Sequence, residues 1–272
     1  MIFDGPHGPV HYELDGESGP VLCLLNGIMM STASWEPFKD AFTQNMRLLR
    51  VDFYDQGTSA SLDDAYTQAV QVELLEALFT HLNIEDVHLA GISYGASVAM
   101  QYAVKYQARL ASLMLFNGVM KTNAWLKDVG RGWNEVARTQ NGLAYYHITI
   151  PYIYSDHYYI QKKDWMAERK KMLVNVFSDP SFLNRQIRLT ESAETHDVAE
   201  GLKDVFVPTL VVAADQDVLT PPHEQEAIVN LLPSAHLVTL KDCGHASMYE
   251  QPDVFTTLIV GHMRTSQSPT SI

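Results

Sequence analysis

Apolar residues in the first 116 positions gather into short runs at Val21–Leu25, Leu48–Phe53, Val87–Ala90 and Leu110–Phe116. Runs of this length that stop at turn residues read as strands buried on both faces of a parallel sheet. The first stops at Asn26-Gly27 and the second at Tyr54-Asp55-Gln56-Gly57. Val10–Leu14 alternates more loosely, as an outer strand would. Between the runs, Val70, Val72, Leu75, Leu78 and Leu82 fall near a helical stripe, predicting a helix over Gln68–Leu82. Ser93–Tyr106 reads as a second helix. Strands alternating with helices imply a mostly parallel sheet with helices on both faces, the α/β class.

The pattern changes near Gly118. From there to Gly201 no clear buried strand is visible, and aromatics such as Trp125, Trp133, Tyr145, Tyr154, Trp165 and Phe177 crowd the segment. Helical periods fall in Trp125–Gln140 and Asp164–Phe177. Strands resume at Thr209–Ala213 and His236–Leu240, with a helix at His223–Leu231 behind Pro221-Pro222 and a last helix at Pro252–Met263. The expected organisation is a core of residues 1–118 and 202–265, a helical insertion over 119–201, and a polar, frayed tail over 266–272.

Composition narrows the function classes. A chain of 272 residues, 46% apolar and 19% charged, can bury a large core without staples. A formal charge of −13 argues against nucleic acid and anionic membranes as partners. Two cysteines, Cys23 and Cys243, cannot make a disulfide framework or a four-cysteine zinc site. No metal and no cofactor is expected. The first residues lack a basic stretch followed by an apolar one, and no apolar stretch reaches the roughly 20 residues of a membrane span. The expectation is a cytoplasmic protein without membrane insertion, acting on a small molecule. Its oligomeric state is left open, a homodimer included.

The chemistry centres on Gly91-Ile92-Ser93-Tyr94-Gly95, which follows one predicted strand and opens a predicted helix. A serine on such a turn projects its hydroxyl above the sheet edge, over a helix N-terminus that favours negative charge. A nucleophilic serine needs a base, and the base an orienting acid. His245, in the loop after the last strand, is placed to be that base. Asp215 and Asp217, both following Thr209–Ala213, compete for the acid. His81, His88, His147, His157 and His196 read as structural or solvated.

These motifs resemble those of the α/β-hydrolase superfamily, over nearly all of the chain outside the insertion. Ser93 stands at the nucleophile elbow of that family. Residues 214–221, Ala-Asp-Gln-Asp-Val-Leu-Thr-Pro, resemble its acid loop and select Asp217. Gly244-His245 with Glu250 and Pro252 matches its histidine loop. Asp52, Gly57 and Ser59 match part of a third loop, in which Asp55 replaces the first glycine. The usual His-Gly after the first long buried strand is here Asn26-Gly27. The resemblance implies an oxyanion hole from the backbone N–H groups of Ile28 and Tyr94. It makes the insertion a cap over the site, and it implies an acyl-serine mechanism for a carboxylic ester or thioester with an apolar acyl group. Asn26, Met29 and Met30 are then expected to contact substrate. Residues 25–35 also resemble the acyltransferases that join two 3-hydroxyacyl chains in bacterial glycolipid surfactants, so the same triad could serve an alcohol acceptor. A receptor that binds a small molecule with little turnover is a third reading. Lys162, Lys163, Arg169, Lys170 and Lys171 read either as a solvated helix face or as an entry patch for an anionic substrate.

Overall fold

The computed structural model describes residues 1–267. Its strands are β1 (Ile2–Gly5), β2 (Gly8–Asp15), β3 (Val21–Leu25), β4 (Arg47–Val51), β5 (Val87–Ile92), β6 (Leu110–Phe116), β7 (Thr209–Ala214) and β8 (Ala235–Leu240). They form one sheet in the order β1-β2-β4-β3-β5-β6-β7-β8. β1 and β2 pair antiparallel, β2 pairs antiparallel with β4, and every other pairing is parallel. β1 had no buried run to reveal it, because its residues are exposed or half-buried at the sheet edge.

The central strands bury alternate residues on opposite faces. In β3, Val21, Cys23 and Leu25 join the core under α2 (Ala69–His81) and α3 (Tyr94–Tyr106), while Leu22 and Leu24 face the other side. That other face is covered by a 3-10 turn over Thr32–Phe38, by α1 (Lys39–Thr43) and by α12 (Pro252–Gln267), through Trp35, Phe42 and Phe255. Trp35 stacks on Phe255 with ring centroids 6.0 Å apart. One charge interrupts these apolar strands. Arg50 in β4 is buried, and its guanidinium meets Glu13, Asp15 at 2.6 Å and Glu36 at 2.7 Å. A buried cation is tolerable only with such partners.

Between β6 and β7 the chain adds α4 (Ala124–Arg138), α5 (Gly142–Thr149), α6 (Asp156–Gln161), α7 (Lys163–Phe177), α8 (Pro180–Ser192) and α9 (Ala199–Leu202). These helices hold a third apolar cluster, around Trp133, Tyr145, Tyr154 and Phe177. After β7 come α10 (Pro222–Val229) and, past β8, α11 (Ser247–Glu250). Of the tail expected from 266, Ser266 and Gln267 continue α12, and 268–272 lie outside the described residues.

The register decides what happens at the sheet edge. Leu25 sits opposite Val51 on one side and Gly91 on the other, Ile92 opposite Phe116, and Ala214 opposite Leu240. The carboxyl ends of six strands therefore finish at a common edge. The residues that follow them include Asn26, Asp52, Ser93, Asn117 and Asp217.

Asn26 corrects an expectation. It is fully buried, and none of its polar atoms is left for a substrate. Its Nδ2 donates to the Val51 carbonyl and to Gln56 Oε1, each at 2.9 Å, and its Oδ1 accepts from Trp35 Nε1 at 2.7 Å. Gln56 Nε2 in turn donates to the Gly27 carbonyl at 2.9 Å. Asn26 is thus a brace for the loop after β3. Asp55, where the resemblance expected glycine, adopts a left-handed φ of 65°, a conformation that asparagine and aspartate tolerate better than most residues. Its buried carboxylate takes the Arg188 guanidinium of α8 at 2.5 Å and the Tyr66 hydroxyl at 2.9 Å. The departure from the family pattern ties an inserted helix to the core.

Two stability predictions follow from these contacts. Asn26→Ala strands the Trp35 N–H and the Gln56 amide in the interior, so chemical denaturation should show a loss of about 3 kcal/mol. A substrate-contact role would instead raise KM at unchanged stability. Arg188→Ala leaves the Asp55 carboxylate buried without its cation and should also cost about 3 kcal/mol. The double variant Asp55→Gly/Arg188→Ala should be the more stable of the two, because it removes the orphaned charge and places glycine at the left-handed position. An equal or larger loss in the double variant would show that the pair is not what holds α8 there.

Candidate active site

The serine loop is shaped by close backbone packing. Ser93 follows β5 directly, with φ 54° and ψ −115°, and its amide donates to the Phe116 carbonyl at 2.9 Å. A non-glycine residue in that region costs on the order of 1–3 kcal/mol and persists only where its surroundings enforce it. The flanking glycines are part of that enforcement. A Cβ on Gly91 would run into the Gly95 carbonyl, and one on Gly95 would come within 2.5 Å of the Leu25 carbonyl oxygen. Only glycine lets the elbow seat against β3. The result leaves Ser93 half-buried among buried neighbours, at the N-terminus of α3.

His245 and Asp217 meet on the other side of the edge. His245 Nδ1 lies 2.7 Å from Asp217 Oδ2. The remaining capacity of Asp217 is fully used. Its Oδ1 accepts the amides of Leu219 and Thr220, both at 2.9 Å, and its Oδ2 accepts Asn117 Nδ2 at 2.9 Å and the Thr220 hydroxyl at 2.8 Å. Burial alone would raise the Asp217 carboxyl, but adjacent His245 and the hydrogen bonds from His245 and Thr220 draw it below the usual carboxylate range. A carboxylate so held accepts the Nδ1–H of His245 and leaves Nε2 as the free ring nitrogen. His245 Nε2 is buried and has no hydrogen-bond partner among the described residues. Asp215, the competing acid, is engaged elsewhere, with the Cys243 amide at 3.3 Å and Lys241 at 3.6 Å.

Ser93 and His245 line one cavity of about 170 Å³. Its floor comes from the core, through Ile28, Met29, Met30 and Tyr94, and much of its wall from the inserted helices, through Trp133, Ile150, Tyr154, Leu173 and Phe177. Asn26 is not among the lining residues. The amides of Ile28 and Tyr94 have no acceptor among the described residues, as expected for Tyr94 in the first turn of a helix. Met30 Sδ accepts the neighbouring Gly27 amide at 3.2 Å, which leaves the amides of Ile28 and Met29 as the open donors of that loop among the described residues. A second, wider space of about 1230 Å³ adjoins the first and shares Met29, Met30, Leu173, Phe177 and Tyr249 with it.

Three supporting residues escaped the sequence reading. Asn117 directly follows β6, has φ 51°, and uses both ends of its amide, donating to Asp217 and accepting from the Ser247 hydroxyl at 2.9 Å. Thr220 sits 3.2 Å from His245 Nδ1. Ser155, in the insertion, gives its amide and hydroxyl to Glu250, whose carboxylate also takes the Gly244 amide at 2.9 Å. A polar residue closing a buried strand, such as Asn117 after Phe116, is the signal that could have found the first. Among the other histidines, His88 contacts Ser112 at 2.7 Å within the sheet, and burial pushes it down to about 4. His196 bonds the Val119 carbonyl at 2.9 Å. No group of three or more His, Cys, Asp or Glu side chains suited to a metal ion occurs among the described residues. No helix among them is long and apolar enough to cross a membrane.

This fold has known counterparts. An alpha/beta hydrolase enzyme from a Medee basin deep-sea metagenome library, MGS-M2, superposes with a TM-score of 0.98 at 49% identity, each chain covered in full. RutD of Stutzerimonas stutzeri, named as a carbamate hydrolase, is 29% identical over 93% of this chain and 96% of its own. The 3-oxoadipate enol-lactonase 1 of Acinetobacter baylyi is 25% identical over 92% and 91%. The sequence model for the alpha/beta hydrolase fold matches residues 20–252, and with that span the chain belongs to the α/β-hydrolase family of enzymes.

Proposed function

We propose that the protein cleaves carboxylic esters or thioesters with a short apolar acyl group, through an acyl-serine on Ser93. The observation that carries this reading is the pairing across one cavity: a serine on a strained strand-to-helix turn, and a histidine whose Nδ1 is held by a carboxylate while Nε2 is open. Ser93 Oγ attacks the acyl carbon as its proton passes to His245 Nε2. The carbonyl oxygen takes up negative charge facing the amides of Ile28 and Tyr94, each such donor being worth roughly 3 kcal/mol in comparable sites. The bond to the leaving oxygen or sulfur then breaks, and His245 returns the proton to it. Water, deprotonated by His245, releases the acid and restores the serine. Asp217 fixes the tautomer and stabilises the charged ring. The inserted helices act as a cap that walls the acyl group away from solvent.

Size sets the acyl length. An apolar cavity of ~150 Å³ holds benzene, so a chamber of about 170 Å³ suits an acyl group of roughly that bulk. Relatives named for a carbamate and for an enol lactone also act at an acyl carbon, which supports the reaction class. The adjoining wide groove supports the acyltransferase reading as the second choice, because it could seat an alcohol acceptor beside the acyl-serine.

A fluorophosphonate probe should add once to the wild type and not to Ser93→Ala, read by intact mass. Ser93→Ala and His245→Ala should each lower kcat by at least about 10⁴-fold. Across acyl esters, kcat/KM should peak near four to six carbons. Unlabelled, folded wild-type protein would sink the proposal, and transfer to an added 3-hydroxy acid outrunning hydrolysis would replace water with alcohol as acceptor.

Asp217→Asn should lower kcat about 10⁴-fold. Its carboxyl is depressed in the fold, so its stabilising contribution is fully present above the ordinary carboxylate pKa near 4 and fades as pH falls through the lower folded value. The stability gap between wild type and Asp217→Asn should therefore hold from pH 7 to about 5 and narrow below about 4. A gap independent of pH would contradict the ionised role.

A further inference from the structure

The five basic residues of 162–171 do not act as one patch. Lys162 and Lys163 are exposed, Lys171 pairs with Glu168 at 2.6 Å, and Lys170 lies over the Tyr146 ring, 5.4 Å from its centroid. Arg169 alone among them turns inward. It lines both the inner cavity and the wide groove, at the junction where the two share walls. Its guanidinium rests over the Tyr249 ring at 4.8 Å and near the Trp165 ring at 5.8 Å. Such stacking fixes the plane of the group and leaves its N–H edge presented sideways.

That edge lacks its natural partner. Arg169 Nε is buried without a hydrogen-bond acceptor. The rest of its guanidinium hydrogen-bonds the hydroxyls of Tyr154 and Tyr249. No carboxylate lies within ion-pair distance of it among the described residues, in a chain with 32 acidic residues against 19 basic ones. Glu250, on the same side of the site, spends its oxygens on Ser155 and the Gly244 amide. A half-buried cation whose Nε is desolvated and unused is costly to maintain, and an Arg fork matches a carboxylate through two parallel N–H···O bonds.

We propose that Arg169 is the specificity-determining anchor for a carboxylate carried by the substrate, so that the preferred substrate is an ester or thioester of a dicarboxylic acid that keeps its second carboxylate free. The reacting acyl carbon sits in the inner chamber at Ser93, and the free carboxylate sits at the junction with the groove. The assignment rests on the ester-cleaving reading of Ser93. Lys127 also lines the inner cavity, from α4, on a flexible stem. It is the competing cation and serves as the control.

The test is calorimetric titration of the full-length Ser93→Ala protein, which binds without turnover. Titrants are the monomethyl esters of glutaric, adipic and suberic acid, each against its uncharged twin with a carboxamide in place of the carboxylate. At least one anionic ester should bind tenfold or more tightly than its twin. Adding Arg169→Gln should bring that ratio to within twofold, Arg169→Lys should keep part of it, and Lys127→Gln should keep most of it. Equal affinity for every pair of twins overturns the proposal. So does a preference that survives Arg169→Gln or vanishes with Lys127→Gln. Because no chemistry occurs in these titrations, a failure of the serine mechanism shows separately, as loss of fluorophosphonate labelling in the wild type.

Discussion

A strand buried on both faces can carry a polar side chain within its length only where a neighbouring strand satisfies it, as Ser112 does for His88, and otherwise only at its ends. β3, β5, β6 and β7 are such strands, and their parallel register brings their carboxyl ends to one edge. The polar residues that follow them are forced together there, at the crevice where open α/β sheets place their ligands. Ser93 after β5, Asn117 after β6, and Asp217 and Thr220 after β7 together span more than 120 residues of the chain. They meet because each strand can shed polarity at only one useful place. The same edge carries the start of α3, so the end of β5 and the helix N-terminus become one turn around Ser93.

The constraint is tight because the backbones touch. Gly91 and Gly95 allow the elbow to press against β3, and the buried Asn26–Gln56–Trp35 network holds the opposing loop at the right height. Replacing the family's histidine with Asn26 therefore alters the bracing of that loop while its backbone donors stay free. Asn26 is nearer in role to Asn117 than to a substrate contact. Both are fully buried amides that satisfy groups on two neighbouring segments at once, and an amide does this better than any other side chain because it donates and accepts.

How much of this was legible beforehand depended on whether a feature had a period. The central strands showed as apolar runs, and the elbow showed as a spaced motif on a strand-to-helix junction. β1, with its exposed edge, and α8, whose start is marked by the Asp179 cap and Pro180, left weaker traces. Asn26 was misread because a polar residue beside a proposed oxyanion loop looks like a substrate contact until its three partners are seen. The inward turn of Arg169 could not be read at all. Five basic residues within ten positions of chain look alike in sequence, and only the packing of α7 against Tyr249 separates the one at the cavity from those in solvent.

The division of labour between core and insertion has a consequence for substrate choice. The groups proposed to react come from the sheet edge, whereas much of the wall around them comes from α4, α7, α8 and the segment after α5. Changing a wall residue alters the volume and polarity offered to the acyl group without moving the edge, because the two parts are joined at a few polar ties. Those ties include Asp55 with Arg188, Glu250 with Ser155, and Glu224 with Asn123 at 2.9 Å. Each is partly or wholly buried, where a charge-assisted bond is strong and its loss leaves a charge or donor stranded. They hold the inserted helices in register over the edge while leaving the apolar lining free to vary. On the proposed reading, the sheet edge supplies the reaction centre, and the lining, with Arg169 at its mouth, selects the acyl compound that reaches it.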